Sequence, residues 1–192
     1  MKNPLLVGIF ALFFLCLFIG GGIFLWYIST RNDIIRLDET INQTMSEIDN
    51  QLQRRSDLIP NFVNTVRGYA AHESQVFSDI ADARSRLAGA GTVEEKAAGY
   101  NEMQSALSRL LVVVEQYPDL KANQNFIALQ DELAGTENRI AVARKRYNDS
   151  VSSFNTRIRT FPGSVVAGNM GFSPKAYFEI AESARQVPQV NF

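Results

Sequence analysis

The chain begins with a long apolar segment, and polar and apolar residues alternate periodically after it. Residues 4–28 contain no charged side chain, and Lys2 and Arg31 are the charges that flank them. At ~1.5 Å per residue, a helix of this length is ~36 Å long, enough to cross a hydrocarbon layer of ~30 Å. The pattern predicts a transmembrane anchor with a short N-tail in residues 1–30, followed by a helical domain in residues 31–192.

A cleaved signal peptide is the main alternative interpretation of the apolar segment. Such a peptide has an apolar region of ~7–15 residues and a small-x-small cleavage site, but this segment is longer and continues into the bulky residues 24–27. Bulky residues also precede Cys16, where a lipoprotein leader has small ones. We therefore expect an uncleaved, single-pass anchor. Lys2 nearly balances Arg31 and Arg36, and a very short basic N-tail favours an extracytoplasmic domain.

Apolar residues recur every three or four positions after the anchor, which is the spacing of helices that pack in bundles. The first stripe runs from Ile34 to Leu87 and contains Pro60. Proline removes a backbone donor and clashes with the preceding turn. The pattern therefore predicts one long helix over residues 31–87 that is kinked near Pro60, with a true break at this proline as the alternative.

Two further long helices have recognisable starts. Thr92 and Glu95 have the spacing of a capping box, which predicts a helix over residues 93–117. Asn123 is a candidate N-cap for a helix over residues 124–161, which has the longest apolar repeat after the first stripe.

The chain ends with a shorter predicted helix. Ser173 followed by Pro174 is typical of a helix start and predicts a helix over residues 175–184. Together the patterns predict an all-α fold, namely an antiparallel bundle of long helices on a single N-terminal transmembrane helix.

Composition and charge exclude several classes of function. The formal net charge of −1 provides no basic field that would attract nucleic acid. Cys16 is the one cysteine, so an internal disulfide and a thiolate metal cluster are excluded. His72 lacks the second histidine that a zinc hydrolase helix needs. We expect no catalytic residue, no metal and no cofactor, and we interpret His72 as structural or exposed, with a pH-sensitive contact as the alternative.

The candidate interaction and register residues flank the apolar stripes. They are Arg54, Arg55, Asp57, Pro60, Asn61, His72, Glu73, Asn148 and Asn155. Asp57 follows Arg54 by three positions, so a weak salt bridge between them could steady the kinked turn. A partner or self-association surface is the alternative.

Three polar residues lie on or beside the stripe of the last long helix. Asn148 and Asn155 are seven positions apart, and polar residues at such places can fix the register of packed helices. Glu137 would be costly if it were buried without a partner. We expect an arginine to pair with it, Arg84 or Arg67.

The sequence LQRRSDLIPNFV at residues 52–63, with TVRGYAAHE at residues 65–73, resembles the signature of the LemA family of bacterial membrane proteins. Further matches are Tyr117-Pro118, Phe126, Leu129, Glu132-Leu133, Thr136-Glu137, Arg144, Tyr147-Asn148, Val151, Phe154-Asn155, Phe161-Pro162, Gly171-Phe172 and Tyr177-Phe178. Arg31 and Met45 depart from the family pattern, which usually has tyrosine and tryptophan there. The resemblance implies a single N-terminal span, an all-α bundle and no enzymatic activity.

The expected function is that of a membrane-anchored, non-enzymatic scaffold or adaptor in the bacterial cytoplasmic membrane. Residues 4–28 would contact the lipid bilayer, and the bundle would form a homo-oligomer or engage another membrane protein. The alternative is a ligand-binding or envelope-sensing module with an aromatic pocket between the helices. Its candidate lining residues are Tyr69, Tyr100, Tyr147, Phe154 and Phe172.

Overall fold

The computed structural model describes residues 4–179, and this part of the chain contains six α-helices and no strand. The all-α prediction is confirmed. The helices are α1 (Pro4–Arg67), α2 (Ser74–Gly89), α3 (Val93–Val114), α4 (Pro118–Lys121), α5 (Gln124–Arg159) and α6 (Gly163–Met170). The chain divides into two compact units, which we call the anchor unit (Met1–Ile41 and Ser152–Lys175) and the bundle unit (Asn42–Val151 and Ala176–Phe192).

The N-terminal part of α1 is apolar and exposed. An 18-residue window of this helix has a mean hydropathy of 2.1, and none of that window is buried. Phe18 illustrates this exposure, because 82% of its surface is accessible. Among the described residues, α1 is the one helix long and apolar enough to cross a membrane.

The predicted single helix over residues 31–87 is wrong. Helix α1 passes through Pro60 and ends at Arg67, and α2 begins at Ser74. The chain leaves the helix at Gly68, whose N–H still donates to the carbonyl of Asn64. Glycine is the weakest helix former after proline, so Gly68 is where the helix ends most easily.

A side chain from α2 compensates for the donor that Pro60 lacks. In a regular helix, the N–H of residue 60 would donate to the carbonyl of Ser56. Arg84 Nε instead donates to this carbonyl oxygen at 3.2 Å, and also lies 3.2 Å from Ser56 Oγ. The freed carbonyl therefore has a partner, which explains why α1 continues beyond the proline.

Replacing Arg84 by alanine should lower the free energy of unfolding by ~0.5–1.5 kcal/mol, because the Ser56 carbonyl loses its partner. The loss should shrink in a Pro60→Ala background, in which the new N–H can donate to the same carbonyl. Urea unfolding of the two single variants and the double variant measures this coupling. Equal losses in both backgrounds would contradict the compensation.

Helices α2 and α3 form a close hairpin. A Cβ atom on Gly99 would lie only 3.0 Å from the Cα of Leu87, so the two backbones approach at a glycine. The predicted capping box is confirmed: Glu95 N–H donates to Thr92 Oγ1, and Thr92 N–H donates to Glu95 Oε2. The backbone N–H groups of Thr92 and Gly91 lower the pKa of the Glu95 carboxyl.

The core of the bundle unit joins α1, α2, α3, α4 and α5. Asn123 caps α5 as predicted, because its Oδ1 accepts from the N–H groups of Asn125 and Phe126 at 2.9 and 3.2 Å. The rings of Phe62 and Phe126 stack at 5.2 Å. Buried around them are Ile59, Val66, Phe77, Ile80, Met103, Leu107, Leu110, Val114, Leu120 and Leu133.

The helix ends and the C-terminal segment differ from the prediction. Helix α3 ends at Val114 and α5 ends at Arg159, two or three residues earlier than predicted. The eight-residue helix α6 is absent from the prediction, since the glycines of this segment have a poor helix propensity. Burial of Val166 and Ala167 offsets this cost. Residues 172–179 are not helical, contrary to the prediction of a helix over residues 175–184, and the remainder of that range lies outside the described residues.

Candidate functional site

Four polar side chains from three helices meet inside the bundle unit. Arg55 of α1 donates through Nη1 to Glu137 Oε2 of α5, and through Nη2 to Gln104 Oε1 of α3 at 2.6 Å. Tyr100 of α3 donates its hydroxyl to the other carboxylate oxygen, Glu137 Oε1. Both oxygens of one carboxylate thus accept from different helices. We call these four residues the Arg55 cluster.

The Arg55 cluster contains a charged side chain that is almost completely buried, which is unusual for an arginine. Only 6% of the Arg55 side chain and 32% of the Glu137 side chain are exposed. Burial, with the hydrogen bond to Glu137 second, raises the pKa of the Tyr100 phenol. The hydroxyl therefore stays protonated and continues to donate. The cluster links α1, α3 and α5 through hydrogen bonds between its members, and leaves Arg55 Nε without a partner among the described residues.

The prediction that an arginine pairs with Glu137 is confirmed, but Arg84 and Arg67 were the wrong candidates. Arg84 contacts Ser56, and Arg67 lies over the ring of Phe77 at 5.0 Å. The actual partner, Arg55, lies on α1. Periodicity within one helix does not give the register between two helices, so the pairing was not available from spacing alone.

The predicted pairing of Arg54 with Asp57 is also wrong. Arg54 donates to Glu132 of α5, with Nε at 3.0 Å from Oε1. Asp57 accepts instead from Gln53 Nε2 at 2.9 Å along the same helix. Both contacts are exposed, so each contributes little to stability.

The other residues singled out around Pro60 and His72 lie apart from the Arg55 cluster. Asn61 is exposed on α1, and its carbonyl accepts from the hydroxyl of Thr65 at 2.9 Å. His72 is exposed in the turn before α2, and Glu73 is the N-cap residue of α2 without a side-chain capping bond. Their possible part in an interaction stays a prediction.

Asn148 holds the main chain of the C-terminal segment in the bundle unit. Its Oδ1 accepts from the N–H of Phe178 at 2.9 Å, and its Nδ2 donates to the carbonyl of the same residue at 3.2 Å. The neighbouring Tyr147 donates its hydroxyl to the carbonyl of Ala176 at 3.0 Å. The side chain of Phe178 is buried and its ring lies 6.2 Å from that of Tyr100. One side-chain amide therefore binds the N–H and the carbonyl of one residue, as a neighbouring β-strand would.

Asn155 makes the same two-bond contact in the anchor unit. Its Oδ1 accepts from the N–H of Lys175 at 2.8 Å, and its Nδ2 donates to the carbonyl of Lys175 at 2.9 Å. Lys175 Nζ also lies 2.9 Å from Asp38 Oδ1 on α1. These bonds occupy the N–H and carbonyl of Lys175, which explains why no helix begins at this position despite Ser173-Pro174.

Alanine at Asn148 or at Asn155 should lower the free energy of unfolding by ~1–3 kcal/mol, because each change leaves two partly buried main-chain groups without partners. Amide hydrogen exchange at Phe178 and Lys175 should accelerate together with this loss. Ser150→Ala is the control, because its exposed hydroxyl donates to a carbonyl of its own helix. Unchanged exchange at both positions would contradict the role given to the two asparagines.

The sequence contained part of the signal for these contacts. The spacing of Asn148 and Asn155 placed both on one edge of α5, but we interpreted them as register residues between helices. Amides that bind an extended segment leave no periodic pattern in that segment. The partners of Asn148 and Asn155 could therefore be identified only from the structure.

Most of the aromatic residues proposed to line a pocket are packed instead. Tyr100, Tyr147 and Phe154 are buried, and the ring of Phe154 meets that of Phe172 edge-on at 5.6 Å. A cleft of about 240 Å³ does lie beside the Arg55 cluster. Its lining consists of Arg55, Phe62, Gln104, Leu107, Ser108, Leu111, Gln130, Leu133, Ala134 and Glu137.

Comparison with known proteins identifies the family of this chain and several similar proteins. A model described as the LemA family matches residues 44–192, which confirms the resemblance. Protein LemA of Metamycoplasma hominis is 29% identical over 192 residues, covering 96% of this chain and 86% of that protein.

Magnetosome proteins form a second group of similar chains. Magnetosome protein MamQ 2 of Paramagnetospirillum magneticum is 28% identical over 174 residues, and magnetosome protein MamQ of Magnetospirillum gryphiswaldense is 27% identical over 173 residues. Each alignment covers 77% of this chain and 64% of the relative. The match therefore spans less than two thirds of these magnetosome proteins.

Proposed function

Since the chain belongs to the LemA family, we propose that it is a membrane-anchored, non-enzymatic scaffold or adaptor. Residues 4–28 hold it in the bacterial cytoplasmic membrane as an uncleaved single-pass protein. The bundle unit forms homo-oligomers or engages another membrane protein. In this proposal the bundle unit lies on the extracytoplasmic side.

The observation that carries this proposal is the continuity of α1. One helix extends from Pro4 to Arg67 and contains both the exposed apolar window and the residues that pack in the bundle core. A helix of this kind fits a tether that keeps the first bundle helix attached to the bilayer. A soluble core helix would bury its apolar surface, whereas this window buries none.

The Arg55 cluster supports a structural role for its own members. Both oxygens of Glu137 and both terminal nitrogens of Arg55 are engaged with protein partners. Using Glu137 as a general base would first require breaking a buried ion pair. Such a network is better suited to fixing the relative register of three helices.

The bundle unit also carries apolar side chains that are available to a partner. Val112 and Leu111 of α3 and Ile127 and Val142 of α5 are all exposed. Exposed apolar side chains can contribute to protein–protein contacts when they are clustered. Leu111 and Val112 are adjacent in α3, and their exposure is compatible with a scaffold that binds its own copies or a second protein.

Chemical cross-linking in intact membranes, followed by sizing, tests this proposal. We expect cross-linked species above the monomer mass, and Val112→Asp or Val142→Asp should reduce them if the exposed apolar residues form the contact. Asp131→Ala on α5 is a control on a polar part of the surface. A monomer alone under gentle extraction, with every variant unchanged, would contradict the scaffold.

A ligand-binding function is the second candidate, and the cleft beside the Arg55 cluster favours it. Arg55 Nε is buried and has no hydrogen-bond partner among the described residues. A small apolar molecule with one acceptor atom matches such a lining. Thermal-shift screening of the wild type and of Leu111→Trp, which would fill the cleft, tests this candidate. A compound that raises the melting temperature of the wild type but not of Leu111→Trp would support ligand binding in the cleft. If no compound changes the melting temperature of either protein, ligand binding is contradicted.

A further inference from the structure

Two apolar side chains near the end of α5 are exposed in the anchor unit. Phe161 has 84% of its surface accessible, and Val165 on α6 is also exposed. The neighbouring Val166 and Ala167 are buried. This turn therefore presents two apolar side chains, one of them large, to its surroundings.

The contacts within the anchor unit show where this turn lies along α1. Asn155 binds Lys175, whose Nζ pairs with Asp38 of α1. Two residues further along α5, Arg157 Nε pairs with Asp33 at 2.8 Å. The last turns of α5 therefore run toward lower residue numbers of α1, which is toward its apolar segment.

The chain reverses close to the end of α5. A Cβ atom on Gly163 would lie 2.2 Å from the carbonyl oxygen of Arg157, so α6 begins directly against the last turn of α5. Phe172 then returns to the ring of Phe154. The chain therefore reverses its direction at residues 160–162, between the end of α5 and the start of α6.

The level of the turn matches the point where α1 leaves its apolar segment. Helix α5 continues for two residues beyond Arg157 and advances the chain by ~3 Å, from the level of Asp33 to about that of Arg31, where the turn begins. Thr30 is only 2% exposed, so protein covers α1 at that level. Trp26 and Tyr27 come four and three residues before Thr30, and such side chains favour the interface between bilayer and water.

The charged side chains of the chain segment that contains the turn are all basic. Residues 150–178 contain no aspartate or glutamate, although the whole chain has a net charge of −1. The basic residues in this range are Arg157, Arg159 and Lys175, and the first and last pair with acids of α1. Arg159 is exposed beside Phe161. An exposed arginine two residues from an exposed phenylalanine is suited to lipid headgroups.

We propose that the turn between α5 and α6 is a second membrane contact, in which Phe161 and Val165 enter the bilayer interface and Arg159 meets lipid phosphates. This inference rests on the proposed membrane span of α1. It adds a contact from the other end of the chain, which fixes the tilt of the anchor unit against the bilayer. A lone span would leave that tilt unrestrained.

Site-directed spin labelling in vesicles of phosphatidylethanolamine and phosphatidylglycerol tests the contact. The full chain carries Cys16→Ser, and nitroxide is attached in turn at Phe161→Cys, Val165→Cys, Phe18→Cys and Asp131→Cys, the last being an exposed polar position of the bundle unit. Collisions with oxygen report lipid, and collisions with a water-soluble nickel chelate report water. The large exposure of the native side chains makes these substitutions compatible with folding, which circular dichroism verifies.

We expect the ratio of oxygen to nickel accessibility at positions 161 and 165 to be several-fold higher than at position 131, and to approach that at position 18. A lipid-like position 18 with a water-like position 161 would overturn this inference and leave the span intact. A water-like position 18 would overturn the span and this inference together. Shielding of position 161 from both reagents would also overturn it, in favour of contact with another protein copy.

Discussion

Replacing Glu137 by alanine should lower the free energy of unfolding by ~3–5 kcal/mol. The change leaves the guanidinium of Arg55 without its counter-ion, and this side chain is almost fully buried. It also removes the acceptor of the Tyr100 hydroxyl. A buried charge that loses its partner costs far more than an exposed one, so the effect should be among the largest of any single polar substitution.

The measurement is urea unfolding of the full chain in detergent micelles, followed by circular dichroism. Glu132→Ala is a matched control, because Glu132 lies on the same helix and pairs with Arg54, an exposed partner. This control should cost less than ~1 kcal/mol. Equal losses for the two variants would mean that the Arg55 cluster is solvated and does not hold the helices together.

Replacing Phe154 by alanine should cost ~3–5 kcal/mol, because the side chain is fully buried and its removal leaves a cavity. Its ring contacts that of Phe172, and Lys175 Nζ lies 5.8 Å from its centre. The same change should therefore also loosen the segment that packs against α5.

Thermal unfolding in micelles measures this loss, and Phe161→Ala is its control. Both are phenylalanines of the anchor unit, but Phe161 is largely exposed, so its replacement should change stability by less than ~0.5 kcal/mol. A loss below 1 kcal/mol for Phe154→Ala would place that side chain on the surface and contradict the packing of the anchor unit.

Local signals in the sequence were sufficient for the helices and several of their ends. The apolar repeat gave α3 and α5, and the capping residues Thr92 and Asn123 gave their starts. These features depend on interactions between residues a few positions apart, so they are visible in one sequence. The long apolar segment gave the N-terminal part of α1 for the same reason.

The break after Arg67 was missed because two local signals pointed to the wrong place. Pro60 is the stronger helix breaker in isolation, and Gly68 is a weaker one. Arg84 reverses this order by binding the carbonyl that Pro60 leaves free. Since Arg84 lies on the next helix, the compensation depends on tertiary structure.

The sequence identified several residues of the candidate site but not the residues with which they interact. Arg55, Glu137, Asn148 and Asn155 each stood out as polar residues near apolar stripes. Their partners lie 20 to 82 positions away in sequence. Such pairings depend on the register between elements, which one sequence without a structure does not specify.

The central claim is that the apolar start of α1 holds an intact chain in a membrane. Extraction of membranes with alkaline carbonate, followed by intact-mass analysis of the retained protein, tests it most directly. We predict that the chain stays in the membrane fraction with residues 4–28 still attached. Recovery of a shortened chain in the soluble fraction would contradict the claim, because the domain would then be released and not tethered.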